Sequence, residues 1–171
     1  MNSTRRNHTR GFSLVEIMIV VTIIGILAAI AVPKLANASQ LARESSLKDD
    51  LRQLRNQIGV YRSQHNNIAP GYANGDTSQT PSEAVLADQL LKFTDSQGNV
   101  SGSHSAQYPW GPYVTGIPEN PLNGKSSWKF LGPGEAFVAD GTTGWLYQPS
   151  TGQVKANVAG GDSMGKAVID Y

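Results

Sequence analysis

"RGFSLVEIMIVV", residues 10–21, sets one carboxylate, Glu16, inside an otherwise uninterrupted apolar run. The run continues to Val32 and ends at Pro33, and Glu16 is the only ionisable side chain from Phe12 to Val32. As a helix this stretch is roughly 32 Å long, about the thickness of bilayer hydrocarbon. Arg5, Arg6 and Arg10 precede it and Lys34 follows it. That distribution of cations puts the amino terminus in the cytoplasm and the body of the chain on the other side of the membrane. A carboxylate at such a depth costs about 2 to 3 kcal/mol unless it is paired, so Glu16 calls for a partner.

Two readings compete. In the first, the segment is a secretory signal: a basic leader, an apolar stretch, and Ala29-Ile30-Ala31 as a small-x-small cleavage site. The apolar run is longer than the roughly 7 to 15 residues such signals carry, and this reading leaves Glu16 unexplained. In the second, a peptidase cuts where the polar leader turns apolar, between Gly11 and Phe12. Phe12 then carries a new ammonium at the membrane face, and Glu16 becomes the fifth residue of the mature chain. In a helical filament the ammonium of a neighbouring subunit sits beside Glu16 and offsets its cost. The charge thereby fixes the register of assembly, as a single buried polar group does in a coiled coil.

The whole stretch "RGFSLVEIMIVVTIIGILAAIAVP", residues 10–33, resembles the prepilin leader and N-terminal helix of type IV pilins and of the pseudopilins of type II secretion. The resemblance implies that Gly11 precedes the cut of a prepilin peptidase and that Phe12 is the N-methylated first residue. It further implies that Glu16 aligns subunits and that Pro33 kinks or locally melts the helix. It implies a single-pass subunit of the bacterial inner membrane with its head in the periplasm. An inner-membrane assembly platform with a cytoplasmic ATPase would extract it into a helical homo-oligomeric filament, alongside minor pseudopilins.

"LRQLRNQIGVYRSQHN" at 51–66 and "WGPYVTGIPENPLNG" at 110–124 are similar, more loosely, to the major pseudopilin, and "GWLYQPSTGQV" at 144–154 to a strand hairpin of many bacterial pilin-like relatives. The resemblance after the stalk favours a pseudopilus that helps export proteins. The absence of cysteine sets the chain apart from pilins that staple a C-terminal loop with a disulfide. A type IV pilus pilin, serving adhesion, twitching or DNA uptake, is the alternative, and a soluble exported binding module is a second. The family's major pseudopilins place aspartate and serine calcium ligands in a loop near the C-terminus. Here Asp140 stands alone before "GTTG", with Asp162 and Asp170 scattered among glycines. An oxygen site for calcium takes about six to eight donors, so no metal is expected, and no cofactor.

The 171 residues suit one modest domain with an appendage. Without residues 1–11 the chain has 11 basic residues against 13 acidic, a net −2, which provides no footprint for nucleic acid. The expected organisation is a leader over 1–11, a transmembrane and filament-core helix over 12–33, an amphipathic stalk helix over 34–65, and a globular head over 66–171. Leu47, Leu51, Leu54, Ile58 and Tyr61 recur at spacings of 4, 3, 4 and 3, one stripe of a helix that packs on its own domain. Residues 66–82, rich in Asn, Gly, Ser, Thr and Pro, read as loop. A short helix from Ser82 to Phe93 follows, with Ser82 as N-cap, and then loop again over 94–109. Strands are expected at 128–131, 136–139 and 145–148, with a fourth in "TGQVKANV" at 151–158. A small antiparallel sheet over the Leu47–Tyr61 stripe makes the fold class α+β.

Catalytic patterns are missing. "NGKS" at 123–126 lacks the first glycine of a phosphate loop, whose place is taken by Glu119. His8, His65 and His104 are far apart, none at metal-ligand spacing. Tyr108, Trp110, Tyr113, Trp128, Trp145 and Tyr147 read as the core of a small sheet domain in preference to a binding patch. Asn99-Val100-Ser101 fits a glycosylation sequon and is read as loop. The chain is expected to be structural and not an enzyme.

Overall fold

The apolar run and the stripe that follows it share one helical period, and one helix carries both. In the computed structural model, which describes residues 12–171, helix α1 runs Leu14–Gln64 with Pro33 inside it. The chain divides into two compact units, Met1–Gln40 and Leu41–Tyr171. In the first, every described residue is exposed. Its helix is apolar on all sides and long enough to cross a membrane.

The second unit has a core built on the stripe. Leu47, Leu51, Leu54, Ile58 and Tyr61 are all buried, and the same core contains Trp128, Trp145, Tyr147, Val154 and Ala156. Helix α2, Glu83–Leu91, starts as expected: the Val85 N–H donates to Ser82 Oγ at 3.3 Å, satisfying one of the free amides of the first turn. Leu86 and Leu90 enter the core.

Five short strands complete the fold: β1 Phe93–Thr94, β2 Val100–Ser101, β3 Trp128–Phe130, β4 Trp145–Gln148 and β5 Gln153–Ala156. The β4–β5 hairpin is antiparallel, as expected, with Tyr147 opposite Val154. β3 instead runs parallel to β4, Trp128 opposite Trp145, so the three-stranded sheet, ordered β3-β4-β5, is mixed. Parallel neighbours need a crossover of a dozen or more residues. The chain between β3 and β4 serves as that crossover, which is why 136–139 forms no strand. All four residues of β4 are buried, as suits the central strand.

Strands β1 and β2 form a two-stranded antiparallel ladder inside the segment expected to be loop. The Asp95 carboxylate makes their turn, accepting from the N–H groups of Gln97 and Asn99. Gly98, at φ +76°, takes the left-handed position that a side chain would disfavour. The architecture is α+β: a long N-terminal helix with an apolar stretch, and small antiparallel and mixed sheets.

Candidate functional site

Gly11, and with it the expected cleavage junction, lies outside the described residues. Phe12 is 75% exposed. The Ile17 N–H donates to Ser13 O at 3.3 Å, opening α1, and Glu16 lies in the first turn, exposed. The positive end of the helix dipole favours a carboxylate here by about 0.3 to 1 kcal/mol. That falls short of the roughly 2 to 3 kcal/mol that lipid exacts. Among the described residues Glu16 makes no salt bridge. Pro33 lies within α1, where its missing N–H removes the bond to the carbonyl of Ala29.

The large apolar side chains from Val15 to Leu35 are 46 to 73% exposed. Burying such a side chain fully is worth about 1.5 to 3 kcal/mol. Leaving so many half-wet costs on the order of 10 kcal/mol, as much as the whole stability of a typical domain. Water is therefore the wrong medium for this segment. Lipid or other apolar helices are the right one.

The sequence motifs of the second unit turn out to be structural. His65 is buried, its Nδ1 2.7 Å from Tyr61 O and its Nε2 3.0 Å from Thr94 Oγ1. His104 lies edge-on to the Phe93 ring, and His8 is outside the described residues. Tyr113, Trp128, Trp145 and Tyr147 are core, Trp110 packs against them, and Tyr108 is half-buried at the surface. The sequon residues Val100 and Ser101 form β2.

"NGKS" has a different use. Asn123 Nδ2 donates to Thr143 O at 2.9 Å and Asn157 O at 3.1 Å. Lys125 Nζ donates to Gly141 O at 2.6 Å and Thr142 O at 3.2 Å. Lys129 Nζ meets Asp140 Oδ2 at 2.7 Å. The other Asp140 oxygen, Oδ1, accepts from Thr142 N, Thr142 Oγ1 and Asn157 Nδ2. These bonds, the one from Lys129 first, hold the Asp140 carboxyl well below the usual carboxylate range. A calcium ion does not fit this loop, because its one carboxylate is already engaged and its carbonyls face an ammonium. Among the described residues no cluster of three or more His, Cys, Asp or Glu could hold a metal. Pairs such as Lys125 with Gly141 join positions 16 apart, and no local spacing reveals them. Glu44 was also missed, although it extends the stripe by one step ahead of Leu47.

Residues 6–32 match the family model described as the prokaryotic N-terminal methylation motif. Over 131 residues the chain is 28% identical to the type II secretion system core protein G of Klebsiella pneumoniae, covering 77% of this chain and 80% of that protein. The likeness is to type IV pilin-like pseudopilins. The protein of the same name from Vibrio cholerae is 26% identical over 130 residues, 76% of this chain and 75% of its own length. The type IV major pilin protein PilA of Myxococcus xanthus is 51% identical over 45 residues, 26% of this chain and 20% of that one. No solved structure matches. With relatives of this kind the chain is a structural protein and not an enzyme.

Proposed function

We propose that the chain is a subunit of a type II secretion pseudopilus. A prepilin peptidase removes residues 1–11 by cutting between Gly11 and Phe12, and Phe12 is N-methylated. Residues 12–33 cross the inner membrane with the amino terminus in the cytoplasm. The stalk, 34–65, and the head, 66–171, lie in the periplasm. An assembly platform driven by a cytoplasmic ATPase then extracts the subunit into a helical filament, together with minor pseudopilins, and Pro33 lets the helix bend on entry. Lipid tails are as apolar as leucine, so extraction gains nothing from the hydrophobic effect alone. Helix packing and the pairing of Glu16 with a neighbour's Phe12 ammonium favour the filament.

One observation carries this reading: the apolar stretch of α1, up to Val32, is broken by a single carboxylate, Glu16, in the first turn of the helix. The breadth of the likeness to the secretion core proteins, 131 residues, favours a pseudopilus. The tighter but shorter likeness to a pilin favours a type IV pilus as the second reading. Mass spectrometry of the mature protein tests both against an exported soluble module. A methylated Phe12 terminus is expected, and a start at Val32 would overturn the filament.

A further inference from the structure

We infer that loop 140–144 is a cation site whose cation is the chain's own lysine ammonium, so that the loop is ordered without any metal. The carbonyls of Gly141 and Thr142 point at one spot, and Lys125 Nζ occupies it, at 2.6 and 3.2 Å. Converging carbonyl dipoles repel one another unless a positive charge sits between them, and an ammonium brings three donors for the purpose. Lys129 supplies a second positive charge, on Asp140.

The tight turn before Lys125 aims it. Gly124, at φ +68°, donates its N–H to Asn120 O at 2.7 Å, and Asn123 Oδ1 accepts from Lys125 N at 3.1 Å. Asn120 N–H donates to Lys125 O at 2.9 Å. Gly144 closes the other side: a Cβ there would collide with the Lys125 carbonyl. Backbone approach from both directions therefore holds the base of the lysine stem.

The oxygen inventory rules out a divalent ion in the same place. Two carbonyls and one carboxylate are well short of the six to eight donors calcium takes. The carboxylate already accepts from Lys129, Thr142 and Asn157. The order of this loop is consequently indifferent to calcium outside the cell, whether or not the chain polymerises.

The test uses the full chain in detergent micelles, followed by the emission of the buried Trp128 and Trp145 during heating and by amide exchange of residues 140–144. Wild type should melt within about 1 °C of the same midpoint in EDTA and in calcium chloride of equal ionic strength. Lys125→Met, which keeps the stem and removes the charge, should melt about 3 to 6 °C lower. Its loop amides should exchange at least about tenfold faster, with no recovery in calcium. Lys125→Arg should stay close to wild type. A calcium-dependent rise in the wild-type midpoint would overturn the inference, as would wild-type exchange in Lys125→Met. Should Lys125→Met fail to fold, a folded Lys125→Arg supports the need for charge, and loss of both variants counts against it.

Discussion

Glu44 holds Ser163 with both carboxylate oxygens: Oε1 accepts from the Ser163 N–H at 2.9 Å and Oε2 from its hydroxyl at 2.7 Å. The two residues are 119 positions apart, and Glu44 is 3% exposed. A buried carboxylate is tolerable only when it is bonded, and this one ties the C-terminal segment to α1. Glu44→Ala should destabilise the second unit by about 1 to 3 kcal/mol, measured by guanidinium unfolding. Ser163→Ala, which keeps the backbone donor, should cost less.

The stripe of α1 should tolerate truncation poorly. Leu51 and Ile58 are 1% and 0% exposed, so Leu51→Ala or Ile58→Ala should each cost about 2 to 5 kcal/mol through lost contacts and the cavity left behind. Exposed Gln53→Ala, on the same helix, should stay within about 0.5 kcal/mol. Equal costs at all three positions would contradict the packing described.

His65 makes stability depend on pH. Burial pushes its pKa below the ordinary 6.5, against the opposing pull of Tyr61 O and Asp95. Tyr61 stacks on the ring at 3.7 Å, with Trp110 and Tyr113 edge-on. Above pH 6.5 the ring is neutral folded and unfolded, and its contribution is complete. Below that the unfolded chain takes up the proton first, and stability falls until the lower folded pKa is passed. Asp140 and Asp95, with lowered pKa values, lose their contribution in a separate window, below the usual carboxylate range. His65→Gln should abolish the decline between pH 7 and 5 in the denaturant midpoint, and an unchanged decline would assign it elsewhere.

Glu16→Ala should insert and be processed normally yet fail to assemble alone, with filament yield in sheared fractions down at least about tenfold. Gly11 changed to a bulky residue should instead leave unprocessed precursor in the membrane. Immunoblots of membrane and sheared fractions separate the two failures.

The helical parts were legible because their signals are local. Five residues at 3–4 spacing define the stripe, and Ser82 three positions before Val85 defines a cap. All three strands of the larger sheet were legible as β runs, but only the pairing of β4 with β5, joined by a short turn, was legible as a pairing. The parallel pairing of Trp128 with Trp145 depends on a crossover lacking regular structure, and the β character of Phe137 and Val138 is overridden by that crossover. Strands of two residues, such as β1 and β2, are too short for alternation to appear. For the site, Phe12, Glu16 and Pro33 stand out because each interrupts or bounds an apolar run. The clamps on loop 140–144 do not, since lysine and asparagine are ordinary surface residues until the fold brings them together.

Arg55 also has a role beyond the core. Its Nε and Nη2 donate to Val154 O at 3.0 and 2.8 Å, on the outer strand of the three-stranded sheet. The guanidinium thus plugs a hydrogen-bonding position that a strand from another molecule would need. Copies of the chain brought close together are thereby discouraged from zipping together through β5.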